Sequence, residues 1–220
     1  METQTFAAVD DGFAGDPAWR VVRTLRDGSE VTIRPIQPED REELRREFAR
    51  TSPETRYLRF LGVVGELTEQ MLTYLTSVDQ HDHIALVATM TSPDLKSERG
   101  VGVGRVIRLK KDHHVAEAAI TVVDDMHRLG IGSALAFEMA RAAKARGIRT
   151  IRAEVLEGNT AMRGILENAG AQRVDSGDQA GALSYDLAIE QGPPASRIVD
   201  VLRGAAQTMA MSIRRLVPPE

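Results

Sequence analysis

The 220-residue chain contains no cysteine. That excludes a disulfide, a thiolate-held metal and a cysteine nucleophile, and it agrees with a reducing compartment. No apolar run approaches the ~18 residues needed to cross a bilayer, and the acidic, polar first residues are unlike a signal peptide. The expectation is a cytoplasmic protein with no membrane partner. A basic excess is missing too, with 28 Lys and Arg facing 32 Asp and Glu. Four of those acids (Glu2, Asp10, Asp11, Asp16) fall in residues 1–18, which hold no base, so the rest of the chain is balanced. That balance argues against a nucleic-acid partner, which needs clustered cations.

Several site signatures are absent as well. There is no G-x-x-x-x-G-K-S/T phosphate loop, no G-x-S-x-G elbow and no H-E-x-x-H pair. His81, His83, His113 and His114 fall at predicted strand ends without further ligands at metal spacing, so no metal site is expected.

What is present is a strand, a glycine turn and a helix in succession. Val122-Val123-Asp124-Asp125 closes a β-branched run, Gly130-Ile131-Gly132 turns, and a helical pattern runs from Ser133 to Arg146. Such a junction is an anion site. The first N–H groups of the helix lack carbonyl partners, and the positive end of its dipole faces the ligand. Gly130 and Gly132 let the backbone approach a phosphate closely, and Arg128 adds charge. A dinucleotide fingerprint would need a third glycine where Leu135 stands.

Around this junction the pattern predicts an α/β protein with a mixed sheet. Residues 1–18 read as an acidic tail, 19–190 as one domain, and 191–220 as a helical extension after Pro193-Pro194. A first strand is predicted at residues 31–36, a helix from Pro38 to Arg50, a second from Ser52, and a third capped by Thr68. An antiparallel meander follows at 83–90, 101–109 and 115–123. Beyond the glycine turn come a strand at 150–156, a helix from Asn159 to Glu167, and strands at 172–174 and 183–187. The apolar stripe of residues 198–216 is expected to dock on the domain or to pair with a second copy in a homodimer.

Glu117 interrupts the apolar run Val115-Ala116-Glu117-Ala118-Ala119-Ile120. A carboxylate there is disfavoured unless it reaches solvent, a partner or a cleft.

The loop resembles the Q/R-x-x-G-x-G/A signature of the GNAT N-acetyltransferase superfamily, with His127 where Gln or Arg is usual. The order of elements over residues 30–188 resembles that fold. The resemblance implies that acetyl-CoA, or another short acyl-CoA, is co-substrate. Val122, Val123, Arg128, Leu129, Gly130, Ile131, Gly132 and Ser133 would then line its site, and Asn159 would contact the pantetheine arm. It also implies that the strands at 115–123 and 150–156 part to admit that arm. Many members carry a tyrosine acid seven residues after the asparagine. Leu166 stands there, so the thiolate, with a pKa of roughly 8.5, has no assigned acid.

Several bacterial GNAT protein acetyltransferases place a glutamate where Glu117 stands, which implies a general base. An amine of pKa about 10.4 is neutral in only about one molecule in 2,500 at pH 7, roughly 4.6 kcal/mol of missing nucleophile. The run Ser52-Pro53-Glu54-Thr55-Arg56-Tyr57-Leu58-Arg59-Phe60 is similar to bacterial lysine acetyltransferases that silence acyl-CoA synthetases. That likeness makes Arg56, Tyr57 and Phe60 candidate acceptor contacts. A protein lysine is the expected acceptor. A small-molecule amine, or an idle acyl-CoA-binding regulatory module, is the alternative.

Overall fold

The computed structural model describes residues 16–50, 65–91, 98–126, 129–175 and 181–189. They form an eight-stranded sheet in the order β1-β2-β3-β4-β5-β6-β8-β7. The strands are β1 (Val21–Thr24), β2 (Glu30–Pro35), β3 (His83–Thr91), β4 (Glu98–Leu109), β5 (Asp112–Val122), β6 (Thr150–Leu156), β7 (Gln172–Val174) and β8 (Ala182–Ala188). Every pairing is antiparallel except β5 with β6. The expected meander of β3, β4 and β5 is present, and β1 adds a hairpin strand ahead of the predicted first one.

Helices cover both faces. On one face α1 (Arg41–Arg50) follows a 3-10 turn at Pro38–Asp40, and α2 (Glu69–Thr76) begins where the Thr68 hydroxyl accepts from the Met71 N–H at 3.2 Å. Met71, Leu72 and Leu75 of α2 pack on Ile107 of β4 and Ala119 of β5. On the other face α3 (Ile131–Ala145) lies across β3, β4 and β5 with both sides of its cylinder largely buried. It ends at Gly147, whose φ of +74° suits a glycine. Last comes α4 (Thr160–Asn168), which packs Met162 and Leu166 into the same core.

Glycines in β4 make the close approach of α3 possible. A Cβ on Gly104 would stand 2.1 Å from the Met139 sulfur, and one on Gly102 would stand 3.1 Å from Leu135. Gly100 faces the opposite way, toward Glu43 of α1. The switch comes from a bulge. Ala88 pairs with Gly102 but Thr89 pairs with Gly100, so Val101 is the extra residue.

Several boundaries differ from expectation. Helix α3 begins at Ile131 rather than Ser133, because Gly130 takes the capping position with φ +107°. Strands β4 and β5 begin three residues earlier than the apolar pattern alone indicated, since the ladder continues through polar residues. Residues 16–18 form a turn, with the Ala18 N–H donating to Asp16 and the Pro17 carbonyl accepting from Gln37. The predicted helix from Ser52 and the extension at 191–220 lie outside the described residues.

Candidate functional site

Strands β5 and β6 run parallel for only three pairs, Val115 with Thr150, Ala116 with Ile151 and Glu117 with Arg152. Beyond them β5 continues on β4 as far as Val122, and β6 continues on β8 as far as Leu156. The two inner strands therefore diverge, leaving a wedge edged by main-chain N–H and C=O groups.

At the mouth of the wedge stands the N-terminus of α3. Gly130 caps it without a side-chain hydrogen bond, and the helix ladder opens with Ala134 N–H to Gly130 C=O at 3.0 Å. The N–H groups of Ile131 and Gly132 precede that ladder, so their dipoles are aimed at the mouth. The loop is braced from the far side of the sheet. The Arg26 N–H, in the β1–β2 turn, donates to the Leu129 carbonyl at 3.1 Å. Val122 is buried in the sheet, and the Val123 N–H donates to the Val101 carbonyl at 3.1 Å. His127 and Arg128 lie outside the described residues, as do Arg56, Tyr57 and Phe60.

Across the wedge, Asn159 caps α4, its side-chain oxygen accepting from the Met162 N–H at 3.1 Å. Leu166 is fully buried in the core and takes no part in the wedge. Tyr185, the late tyrosine, is 2% exposed, and its hydroxyl donates to Glu167 at 3.0 Å. It serves packing rather than the site.

Glu117 is 5% exposed. Cross-strand register places it on the α2 face of the sheet, opposite Ile107 on β4 and Arg152 on β6. Arg152 in turn makes two 2.7 Å bonds with Asp186 of β8. Those bonds, outweighing its partial burial, raise the Arg152 guanidinium above its usual value, and Glu154 and Glu117 add to the rise. One step from Glu117 on the same face is Arg105, fully buried, whose guanidinium donates to His83 Nε2 at 3.2 Å.

The same face holds a cavity of about 240 Å³ between α1, α2 and strands β2 to β5. Glu43, Glu47, Leu75, Thr89, Arg105 and Thr121 are among its walls. The Thr89 hydroxyl is buried there without a hydrogen-bond partner. Sequence reading did not single out Thr89 or Arg105. Arg105 carried the same signal as Glu117, a charge set among Val103, Val106 and Ile107. Among the described residues no group of three or more His, Asp or Glu side chains could hold a metal.

A family model described as an acetyltransferase (GNAT) domain matches residues 30–172. Acetyltransferase PA5475 of Pseudomonas aeruginosa is 34% identical over 161 residues, 73% of this chain and 81% of that protein. Acetyltransferase Pat of Mycolicibacterium smegmatis is 35% identical over 147 residues, which span 67% of this chain and 43% of that longer protein. Among solved structures, the GNAT domain of S. lividans PAT superposes with a TM-score of 0.66 at 28% identity, covering 77% of this chain and 97% of that one.

Proposed function

Because this chain belongs to the GNAT acetyltransferase family, we propose that it moves an acetyl group from acetyl-CoA to a protein lysine, by direct attack with Glu117 as base. The observation that carries the reading is the parting of β5 and β6 just past Glu117, with a glycine-capped helix N-terminus at the wedge's mouth.

The wedge and the loop fit the group they would hold. Gly130 sits at φ +107°, where a side chain would be strained, and the N–H groups of Ile131 and Gly132 offer donors to a pyrophosphate. Leu129 and the backbone of Val122 would complete the cradle, with Asn159 reaching the pantetheine arm from α4, while Arg128 and Val123 are assigned to it by the sequence resemblance alone. Acetyl-CoA supplies the activated acyl group. Glu117 accepts the ammonium proton of the acceptor, through water, which makes the amine a nucleophile. A main-chain N–H of β5 stabilises the charge that develops on the carbonyl oxygen. No cysteine exists to carry an acyl-enzyme, so both substrates bind together. The likeness of residues 52–61 and of Glu117 to bacterial lysine acetyltransferases supports a protein lysine as acceptor, with Arg56, Tyr57 and Phe60 contacting it.

Calorimetric binding of acetyl-CoA, followed by thiol release with lysine peptides and small amines, tests the reading. We expect micromolar binding and turnover on a lysine peptide. In Glu117→Gln, kcat should fall by about 10²–10⁴-fold with binding kept. Full activity in that variant removes the base, and turnover confined to small amines removes the protein acceptor.

A further inference from the structure

We propose that Arg26, in the turn between β1 and β2, is a further acyl-CoA-binding residue whose guanidinium takes a phosphate group at the ADP end of the molecule. The inference rests on the α3 N-terminus as the pyrophosphate site. It adds a residue from an element at the opposite side of the sheet from the wedge.

Register brings the turn to the glycine loop. Thr24 pairs with Glu30 at the end of β1. From there the ladder runs from Thr32 to Thr89, from Thr89 to Gly100, and from Gly102 to Val122. The β1–β2 turn therefore leaves the sheet at the end where β5 passes into the loop. Contact is made by the backbone, the Arg26 N–H donating to the Leu129 carbonyl at 3.1 Å. Leu129 immediately precedes Gly130, the cap of α3. Consecutive Cα atoms lie about 3.8 Å apart, so Arg26 is fastened two short steps from the Ile131 N–H. An extended arginine side chain is of that order of length.

The turn holds its own shape and leaves the guanidinium uncommitted. The Leu25 N–H donates to the Ser29 carbonyl at 2.7 Å, and the Gly28 N–H donates to the Leu25 carbonyl at 3.1 Å. Gly28 takes φ +84°, which suits a glycine, and Leu25 anchors the turn in the core at 3% exposure. The adjacent acid is occupied, since the Ser29 hydroxyl and N–H donate to Asp27 Oδ1 at 2.6 and 3.1 Å. Arg26 itself is exposed, and among the described residues its side chain makes no hydrogen bond or ion pair. Arg23, three residues earlier, is the contrast. It is buried, and its Nε donates to Glu138 of α3 at 3.0 Å. One arginine thus clamps the hairpin to α3, and the next stands free beside the helix N-terminus. A planar fork of donors matches two oxygens of a phosphate, and the helix dipole there adds to its attraction. CoA offers two such groups, its pyrophosphate and its ribose 3′-phosphate.

The test is calorimetric binding of CoA, and of dephospho-CoA, which lacks the 3′-phosphate, to the parent, Arg26→Met and Arg20→Met. Methionine keeps the backbone N–H and with it the bond to Leu129. Arg20 is exposed ahead of β1, at the other end of that strand, and its loss removes the same net charge. Arg26→Met should weaken CoA about fivefold or more at low salt, with a smaller loss at about 0.5 M salt, while Arg20→Met stays within twofold of the parent. If the 3′-phosphate is the partner, dephospho-CoA binds parent and Arg26→Met alike. If the pyrophosphate is, both ligands lose the same factor. In turnover, Arg26→Met should raise KM for acetyl-CoA and keep kcat within twofold, because the contact lies at the non-reacting end. CoA affinity in Arg26→Met within twofold of the parent overturns the proposal. An equal loss in Arg20→Met overturns it too, since the effect would then be one of net charge. A parent that binds no CoA removes the pyrophosphate site itself, whereas a parent that binds beside an unaffected Arg26→Met removes only the role of Arg26.

Discussion

Glu117 and Arg152 are the last residues in register before β5 and β6 part. Past them each strand keeps one neighbour, β4 for β5 and β8 for β6, so each presents an open edge toward the other. Open edges buried inside a sheet are costly unless something pairs with them. An extended amide-bearing arm supplies such pairing, and Glu117 sits where that arm would end.

Amide exchange reads this arrangement directly. Saturating CoA should slow exchange of the Ala118 and Ile120 amides, which point toward β6 while their neighbours bond β4, at least tenfold as the arm pairs with that edge. Exchange that is unchanged there, in a protein that binds CoA, would place the pantetheine arm elsewhere.

Gly130 and Gly132 play different parts, and alanine separates them. At Gly130, φ +107° strains any side chain, at a cost of about 1–2 kcal/mol. Gly130→Ala should therefore lower both the unfolding midpoint and CoA affinity. Gly132 lies within the first turn of α3, where alanine is the better helix former by up to about 1 kcal/mol. Gly132→Ala should leave stability equal or higher yet weaken CoA at least fivefold, since a Cβ would stand among the donor N–H groups. Unfolding curves with calorimetry check both, and undiminished affinity in Gly132→Ala would remove the close approach.

Local chemistry made much of this fold legible. Thr68 and Asn159 cap the helices they were expected to cap, and Gly147 and Gly170 end the helices they follow, because each effect acts within a few residues. Strand β6 was legible to the residue. What escaped depends on distant partners. Strand β1 has only four residues and is defined by its pairing with β2. The polar starts of β4 and β5 are strand only because a neighbour extends the ladder. The bulge at Val101, which turns Gly100 toward α1, has no signal outside the pairing of β3 with β4. Within the site, Glu117 stood out as a charge in an apolar run. Arg105 did too, but only register shows that it shares the face of the sheet on which Glu117 lies.

His83 predicts an acid limit to stability. Its folded value of about 3 lies below the unfolded 6.5, so the unfolded chain binds more protons between those limits. Stability is full above pH 6.5 and is lost as pH falls toward 3, with a slope approaching about 1.4 kcal/mol per unit from this group. Asp79, which accepts from the backbone N–H groups of His81, Asp82 and His83, adds a later loss below its ordinary 3.8. Urea unfolding at pH 7, 6, 5 and 4 should show the first loss in the parent. His83→Gln keeps an acceptor for Arg105 but does not titrate, so its slope between pH 6 and 4 should be shallower. Equal slopes would mean that His83 is protonated in the folded protein.

The approach of α3 to the sheet predicts a coupled pair. A Cβ on Gly104 would stand 2.1 Å from the Met139 sulfur, inside any contact distance, and Met139 is fully buried. Gly104→Ala must therefore displace Met139 or lift α3, costing about 1–3 kcal/mol. Because α3 begins at Gly130, lifting it also shifts the loop, and CoA affinity should fall with stability. Met139→Ala alone leaves a cavity and costs about 2–5 kcal/mol. Combined, the two changes relieve each other, since the new methyl occupies part of the vacated space. The double variant should be at least 1 kcal/mol more stable than the sum of the single changes implies, with affinity restored toward the parent. A strictly additive double variant would show that α3 and β4 do not meet through this pair.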